Sequence, residues 1–114
     1  MAETSHSKGL LAELKARSYL RSKGFRILTK RFKTPLGEID FIAQDGKILI
    51  FVEVKLRKTK EAAAEAIDKK NKKRVRNAAE LYLQQHPEYN DFEMRFDALI
   101  LAPGAWPEHI PDAF

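Results

Sequence analysis

Cysteine is absent from the 114 residues. That removes a disulfide framework, a thiolate metal site and a cysteine nucleophile together. Long apolar runs are missing too. The longest aliphatic and aromatic run is Ile48 to Val52, far short of a membrane span. The opening "MAETSHSKGL" holds no apolar stretch of signal-peptide length, so the expectation is a soluble, cytoplasmic protein with no membrane partner. Histidine is scarce, at positions 6, 86 and 109 only, and these are scattered. No repeat or linker occurs, and low complexity is confined to a short alanine-rich stretch, Glu61–Ala66.

What is present fits one domain, 1–114. Hydrophobic residues make up 44% and charged residues 32%, ordinary values for a globular chain. A chain of this length buries roughly two-thirds of its unfolded surface, enough to fold without staples. The net charge of +5 points towards a polyanionic partner, though charge alone does not name one.

Residues 7–23 read as a first helix, with Ser5 or Ser7 as cap and Gly24 as stop. Its apolar residues Leu10, Leu11, Ala12, Leu14, Ala16, Tyr19 and Leu20 spread widely around the wheel, which predicts packing on more than one neighbour. Residues 25–32 alternate as a strand, with Phe25, Ile27 and Thr29 on one face, and "KTPLG" at 33–37 is a turn. The segment "GEIDFIAQDGKILIFVEVK", 37–55, reads as a hairpin turning at Asp45-Gly46. That turn places Gln44 opposite Lys47, Asp40 opposite Phe51, and Asp40 diagonal to Glu53. Alternation then sends Glu38, Asp40, Glu53 and Lys55 to one face and Ile39, Phe41, Val52 and Val54 to the other. A second helix is capped at Asp68, runs to Gln85 and stops at His86-Pro87, with Ile67, Val75, Ala78, Ala79 and Tyr82 as its apolar face. Residues 93–101 form the last strand, and the proline-broken tail after them reads as irregular, with Trp106 packed to anchor it. The order is α-β-β-β-α-β, a mixed sheet flanked by helices.

The hairpin poses the chemical question, because it is apolar enough for a core and still carries carboxylates. Like charges on one face repel, and a buried carboxylate without a partner is costly. Lys55 can compensate one of Asp40 and Glu53, and a divalent cation can compensate both. With no thiolate and scattered histidines, an all-oxygen site for a hard cation such as Mg²⁺ fits better than zinc. A lysine beside such a metal can orient a water or stabilise charge on a phosphate, which implies hydrolysis of a phosphodiester. The residues alone also allow a solvent-facing sheet with cross-strand ion pairs. They allow an ion pair of Glu13 with Arg17 one turn on, and a merely solvated face for "KKNKKRVR" at 69–76. Asp97 can simply pair near Arg95.

The segment "GEIDFIAQDGKILIFVEVKLR" closely resembles the signature of the YraN-like bacterial family, and the likeness extends to "AELKARSYLRSKGFRIL" at 12–28, "AELYL" at 79–83, "RFDALIL" at 95–101 and "WPEHI" at 106–110. The resemblance implies a three-layer α/β fold of the Holliday-junction-resolvase-like and restriction-endonuclease-like nucleases, the PD-(D/E)XK class. It implies Glu13 as the acidic residue of the first helix, Asp40 as the motif aspartate and Glu53-Val54-Lys55 as Glu-x-Lys. Asp40, Glu53 and the Val54 carbonyl would then hold Mg²⁺ or Mn²⁺, with Glu13 as an auxiliary ligand and Glu38 beside them. Lys55 would serve the attacking water. Lys69, Lys70, Lys72, Lys73, Arg74 and Arg76 would bind the nucleic acid, DNA or RNA, and a homodimer is implied by the resolvases. The family's Lys-Gln pair at the second helix is replaced here by Asn71 and Lys72, and a common glycine by Ala12. The implied activity is a metal-dependent endonuclease acting on DNA, branched or damaged DNA included. The other expectation is a nucleic-acid-binding protein on a nuclease fold, without catalysis.

Overall fold

A computed structural model describes residues 5–56, 58 and 69–113, and within them the side chains of 5–8, 10 and 69–71 lie outside the description. The expected cap Asp68, Ile67 and the alanine-rich stretch fall outside the described residues, as do the side chains of Lys69 and Lys70.

Helix α1, Ser5–Ser22, ends where Gly24 takes φ 84°. The Gly24 amide bonds the Arg21 carbonyl at 2.9 Å and the Phe25 amide bonds that of Leu20 at 3.2 Å, a glycine-terminated stop that satisfies the last free carbonyls. Strands β1 (Arg26–Thr34), β2 (Gly37–Asp45) and β3 (Ile48–Leu56) follow as an antiparallel meander. Thr34 closes the first turn, its hydroxyl accepting from the Leu36 and Gly37 amides. Helix α2, Lys69–Gln85, and a 3-10 turn, Pro87–Tyr89, lead to β4, Glu93–Leu101, which joins β3 in parallel. The second helix ends and β4 runs where the sequence placed them.

The sheet is five-stranded, in the order β1-β2-β3-β4-β5. Its last strand corrects the expectation of an irregular tail: β5, Glu108–Ile110, pairs antiparallel with β4. What secures it is Asp97. This fully buried carboxylate takes both Arg95 Nε and Nη2 at 2.9 Å, His109 Nε2 at 2.6 Å and the Asp112 amide at 3.0 Å. The expected Arg95 pairing is therefore there, and it extends into a clasp on the tail. His109 is held edge-on by Tyr19 and Phe25, with ring centres 5.8 and 5.9 Å away.

The sheet buries both faces. Ile39, Ile42, Leu49, Phe51 and Phe96 pack with Val75, Ala78, Ala79 and Tyr82 of α2, while Phe41, Ile50, Val52, Leu99 and Leu101 pack with Ala16 and Leu20 of α1. Strands covered on two sides read as continuous apolar runs, which is why β3 shows so little alternation. One expectation fails at the rim. Helix α1 packs on β1 and β4 and leaves Leu11 and Leu14 half exposed, and Trp106 is 87% exposed instead of anchoring the tail. These residues and Leu56 line an open apolar groove. Among the described residues, no helix is long and apolar enough to cross a membrane.

Candidate metal and phosphate site

The hairpin turn is Gly46-Lys47 rather than Asp45-Gly46, since Asp45 pairs with Ile48. Gly46 has φ 60° and Lys47 does not share that sign, the II′ arrangement suited to a twisted hairpin. The corrected register runs up to the rung Phe41–Val52, the last between these strands. One step beyond it, Asp40 stands across from Glu53 rather than diagonal to it.

The regular pattern breaks at that step. Ile39 belongs to the α2 side and Phe41 to the α1 side, although they are two positions apart. A strand with strict alternation puts such residues on one face. The expected common face for Ile39, Phe41, Val52 and Val54 is therefore lost: Phe41, Val52 and Val54 lie towards α1 and Ile39 towards α2. On β1 the facing residue, between the rungs Lys30–Phe41 and Phe32–Ile39, is Arg31 with φ 55°. An earlier bulge between Ile27 and Thr29 turns Thr29 to a hydrogen bond with Tyr82 of α2, away from Phe25 and Ile27.

The break aims the Asp40 carboxylate at β3, where Oδ2 accepts the Val54 amide at 2.7 Å. A side chain thus replaces a ladder carbonyl. The N–H and C=O of one strand residue point to the same lateral edge, so the Val54 carbonyl faces this same gap. Glu53 and Lys55 flank it. The Lys55 ammonium lies 3.6 Å from Glu53 Oε1, and both side chains are mostly buried. Asp40 and Glu53 are neighbours whose carboxyl groups act on each other, and any hydrogen bond between two carboxyl groups needs a proton on one of them.

Electrostatics follow from that crowding. Burial pushes Glu53 up to about 7; the Asp40 charge adds to the rise and Lys55 opposes it. Burial also raises Asp40, against the pull of the Val54 amide, and exposed Glu38 adds to the rise. One ammonium does not balance these carboxylates. A divalent cation suits the same place, because Mg²⁺ is commonly held by one or two carboxylates and completes its shell with water and phosphate oxygens. The donor set of Asp40, Glu53 and the Val54 carbonyl therefore fits the metal that the sequence implies.

Glu13 stands apart from that set. Its two oxygens are taken by Lys30 at 3.2 Å and by Arg31 at 3.0 Å, and Lys30, followed by its other cationic neighbours Arg31 and Arg17, holds its carboxyl below the usual value. The Arg17 pairing suggested by helical spacing is thus a secondary influence. Glu13 and Asp40 do line one cleft of about 200 Å³, together with Arg31, Phe41 and Val54. Among the described residues, no three carboxylate or imidazole groups are gathered as a ready metal cage. Lys30 and Arg31 were missed as site residues by sequence reasoning. Their only signal was the cation density of "TKRFK", read there as ordinary strand alternation.

The basic helix lies close by. A Cβ on Gly37 would collide with the Arg74 carbonyl oxygen, so the start of β2 is pressed against the α2 backbone just before Glu38 and Asp40. Lys73, Arg74 and Arg76 are exposed and Lys72 half-buried, with the Arg76 guanidinium over the Phe96 ring at 4.4 Å.

Residues 12–101 match the family model described as "Uncharacterised protein family UPF0102". A UPF0102 protein of Nitrobacter winogradskyi is 49% identical over 106 residues, covering 93% of this chain and 90% of its own. One from Rhodopseudomonas palustris strain HaA2 is 44% identical, covering 100% of this chain and 97% of its own. One from Bradyrhizobium diazoefficiens is 45% identical, covering 93% and 80% respectively.

Proposed function

This chain belongs to the uncharacterised protein family UPF0102, the YraN-like family, and from that premise we propose that it is a metal-dependent endonuclease hydrolysing phosphodiester bonds in DNA, branched or damaged DNA included. The observation that carries the reading is the Asp40–Glu53 carboxyl pair at the broken end of the β2–β3 ladder, with Lys55 beside it. Asp40, Glu53 and the Val54 carbonyl would hold Mg²⁺ or Mn²⁺. Bound there, the metal supplies Lewis acidity to a phosphoryl oxygen and lowers the pKa of water. Lys55 orients the attacking water and stabilises the charge that develops on the phosphate. The α2 cations, Lys72, Lys73, Arg74 and Arg76 among them, hold the nucleic-acid backbone.

The test is cleavage of junction, flap, single-stranded and duplex DNA, and of RNA, with Mn²⁺ and with EDTA. Lys55→Ala should cut roughly 10²–10³-fold more slowly than the wild type, the scale of losing one electrostatic stabiliser. Cleavage within a few-fold of wild type removes Lys55 from the mechanism. A second reading, a nucleic-acid-binding module without catalysis, is favoured by one observation: Glu13 is committed to Lys30 and Arg31. It expects equal binding in Mn²⁺ and EDTA and no cleavage of any substrate.

A further inference from the structure

We propose that Lys30 and Arg31 form a seat for one backbone phosphate of the nucleic acid, and that Glu13 occupies this seat until the phosphate displaces it. The proposal rests on the reading of DNA as the ligand and adds a binding residue pair and a gate to it.

Each oxygen of the Glu13 carboxylate meets one cation, Lys30 Nζ at 3.2 Å and Arg31 Nη2 at 3.0 Å. The two non-bridging oxygens of a phosphodiester present the same kind of target, and guanidinium groups recognise carboxylate and phosphate alike. The Glu13 side chain is 15% exposed, whereas Lys30 and Arg31 are 54% and 55% exposed, so the cations are open to an anion arriving from solvent. The charged groups around the carboxylate are Arg17 from α1, Lys30 and Arg31 from β1, and Asp40 across the cleft on β2. Three cations thus surround one paired carboxylate, and the local excess is positive.

The backbone gives an independent reason. Consecutive strand residues point to opposite faces. Lys30 and Arg31 nonetheless reach the same carboxylate, and they do so because Arg31 holds φ 55°, a left-handed conformation uncommon for a residue with a side chain. No tight turn requires it there, since Arg31 lies inside β1. Strained backbone of this kind concentrates at ligand clamps. A phosphate on these cations lies at the cleft that Arg31 shares with Asp40 and Val54, beside the proposed reaction centre. It also frees the Glu13 carboxylate into that cleft, so that arrival of the nucleic acid completes the carboxylate set.

The test is binding of a fluorescent duplex oligonucleotide in EDTA, by anisotropy over a salt series, with the wild type, Glu13→Gln, Arg31→Gly and the control Glu108→Gln. Glycine accepts φ 55° without strain, so Arg31→Gly keeps the fold. Glu13→Gln should bind roughly tenfold more tightly, the equivalent of one charge-assisted contact. Glu108→Gln removes an equal charge from an exposed position on β5 and should change affinity less than about twofold. Arg31→Gly should weaken binding and lower the salt slope by about 0.9. The proposal is overturned if Glu13→Gln binds no more tightly than the control, if Arg31→Gly keeps the wild-type slope, or if the wild type does not bind. Cleavage by the wild type alongside unaltered binding by the variants overturns the seat and leaves the nuclease reading standing. Altered binding without cleavage does the reverse.

Discussion

Two groups of carboxylates lie within one sheet and titrate in opposite directions. Asp97 is the more buried, yet its carboxyl is held below the usual value: burial alone would raise it, but His109, Arg95 and the Asp112 amide outweigh burial. Asp40 and Glu53 keep slightly more contact with solvent, yet burial is the first influence on both and pushes both up. Solvent exposure therefore does not separate the two sites; whether partners outweigh burial does. Asp97 has a donor for each direction and is finished as a structural clasp. The hairpin pair has one ammonium and one amide for two carboxyl groups. A cleft-side group left short of charge is where function concentrates.

Breaking the finished side should cost most. Asp97→Ala strands Arg95 and releases the tail, and should lower stability by about 3–5 kcal/mol in urea unfolding at pH 7. A loss below about 1 kcal/mol would show that the clasp is ornamental. The unfinished side should respond with the other sign. Glu53 holds its proton to about pH 7 when folded and to its ordinary value of 4.5 when unfolded. The unfolded chain therefore binds fewer protons between these pH values, and stability contributed here falls as pH rises through that window. Glu53→Gln removes the Glu53 share of the fall and should stabilise the protein by up to about 2–3 kcal/mol at pH 8, with little gain below pH 4.5. Asp97 acts oppositely: its depressed carboxyl stabilises at neutral pH, and this is lost as pH drops below the ordinary aspartate range. Unfolding midpoints across pH in wild type and Glu53→Gln separate the two limbs, and a flat profile from 4.5 to 7 would refute the raised Glu53.

A smaller effect sharpens the comparison through the metal. Asparagine at position 40 can still accept the Val54 amide while removing one charge, so Asp40→Asn should gain about 1 kcal/mol in EDTA. The wild type should gain about 1.4 kcal/mol from Mg²⁺ at ten times its Kd, and the variant almost nothing. If the variant retains the full Mg²⁺ shift at constant ionic strength, Asp40 is not a ligand. The smallest effect calibrates the rest. Asp91 is 71% exposed and paired with Lys47 at 3.2 Å, and Asp91→Asn should stay within about 0.5 kcal/mol of wild type.

How much of this was legible depends on what each feature needs. The limits of β4 and the end of α2 depend on local signals, His86-Pro87 and the apolar run at 98–101, and these could be read directly. The hairpin could be read but not its register. A turn at Asp45-Gly46 and one at Gly46-Lys47 both use the positive φ of Gly46, and both leave the same residues on the same faces, because side chains repeat every two positions. Asp40, Glu53 and Lys55 were legible as charges out of place in an apolar hairpin. The break at Asp40 was not, since it depends on Arg31 adopting an unusual conformation on the neighbouring strand. Strand β5 was hidden by the prolines around it, and its cause, the bond from Asp97 to His109, spans residues that no local pattern joins.

The parallel pairing of β3 with β4 has a consequence for how the molecule assembles. β1, β2 and β3 are joined by tight turns, so their contacts close short loops and can form early. β4 can dock on β3 only after the chain through residues 57–92 has crossed over, and β5 only after β4. The hairpin that carries Asp40 and Glu53 therefore belongs to the early part of the folding reaction and the Asp97 clasp to its close. Mutations at Asp97 should accelerate unfolding and leave the folding rate nearly unchanged, while mutations at Phe51 or Val52 should slow folding.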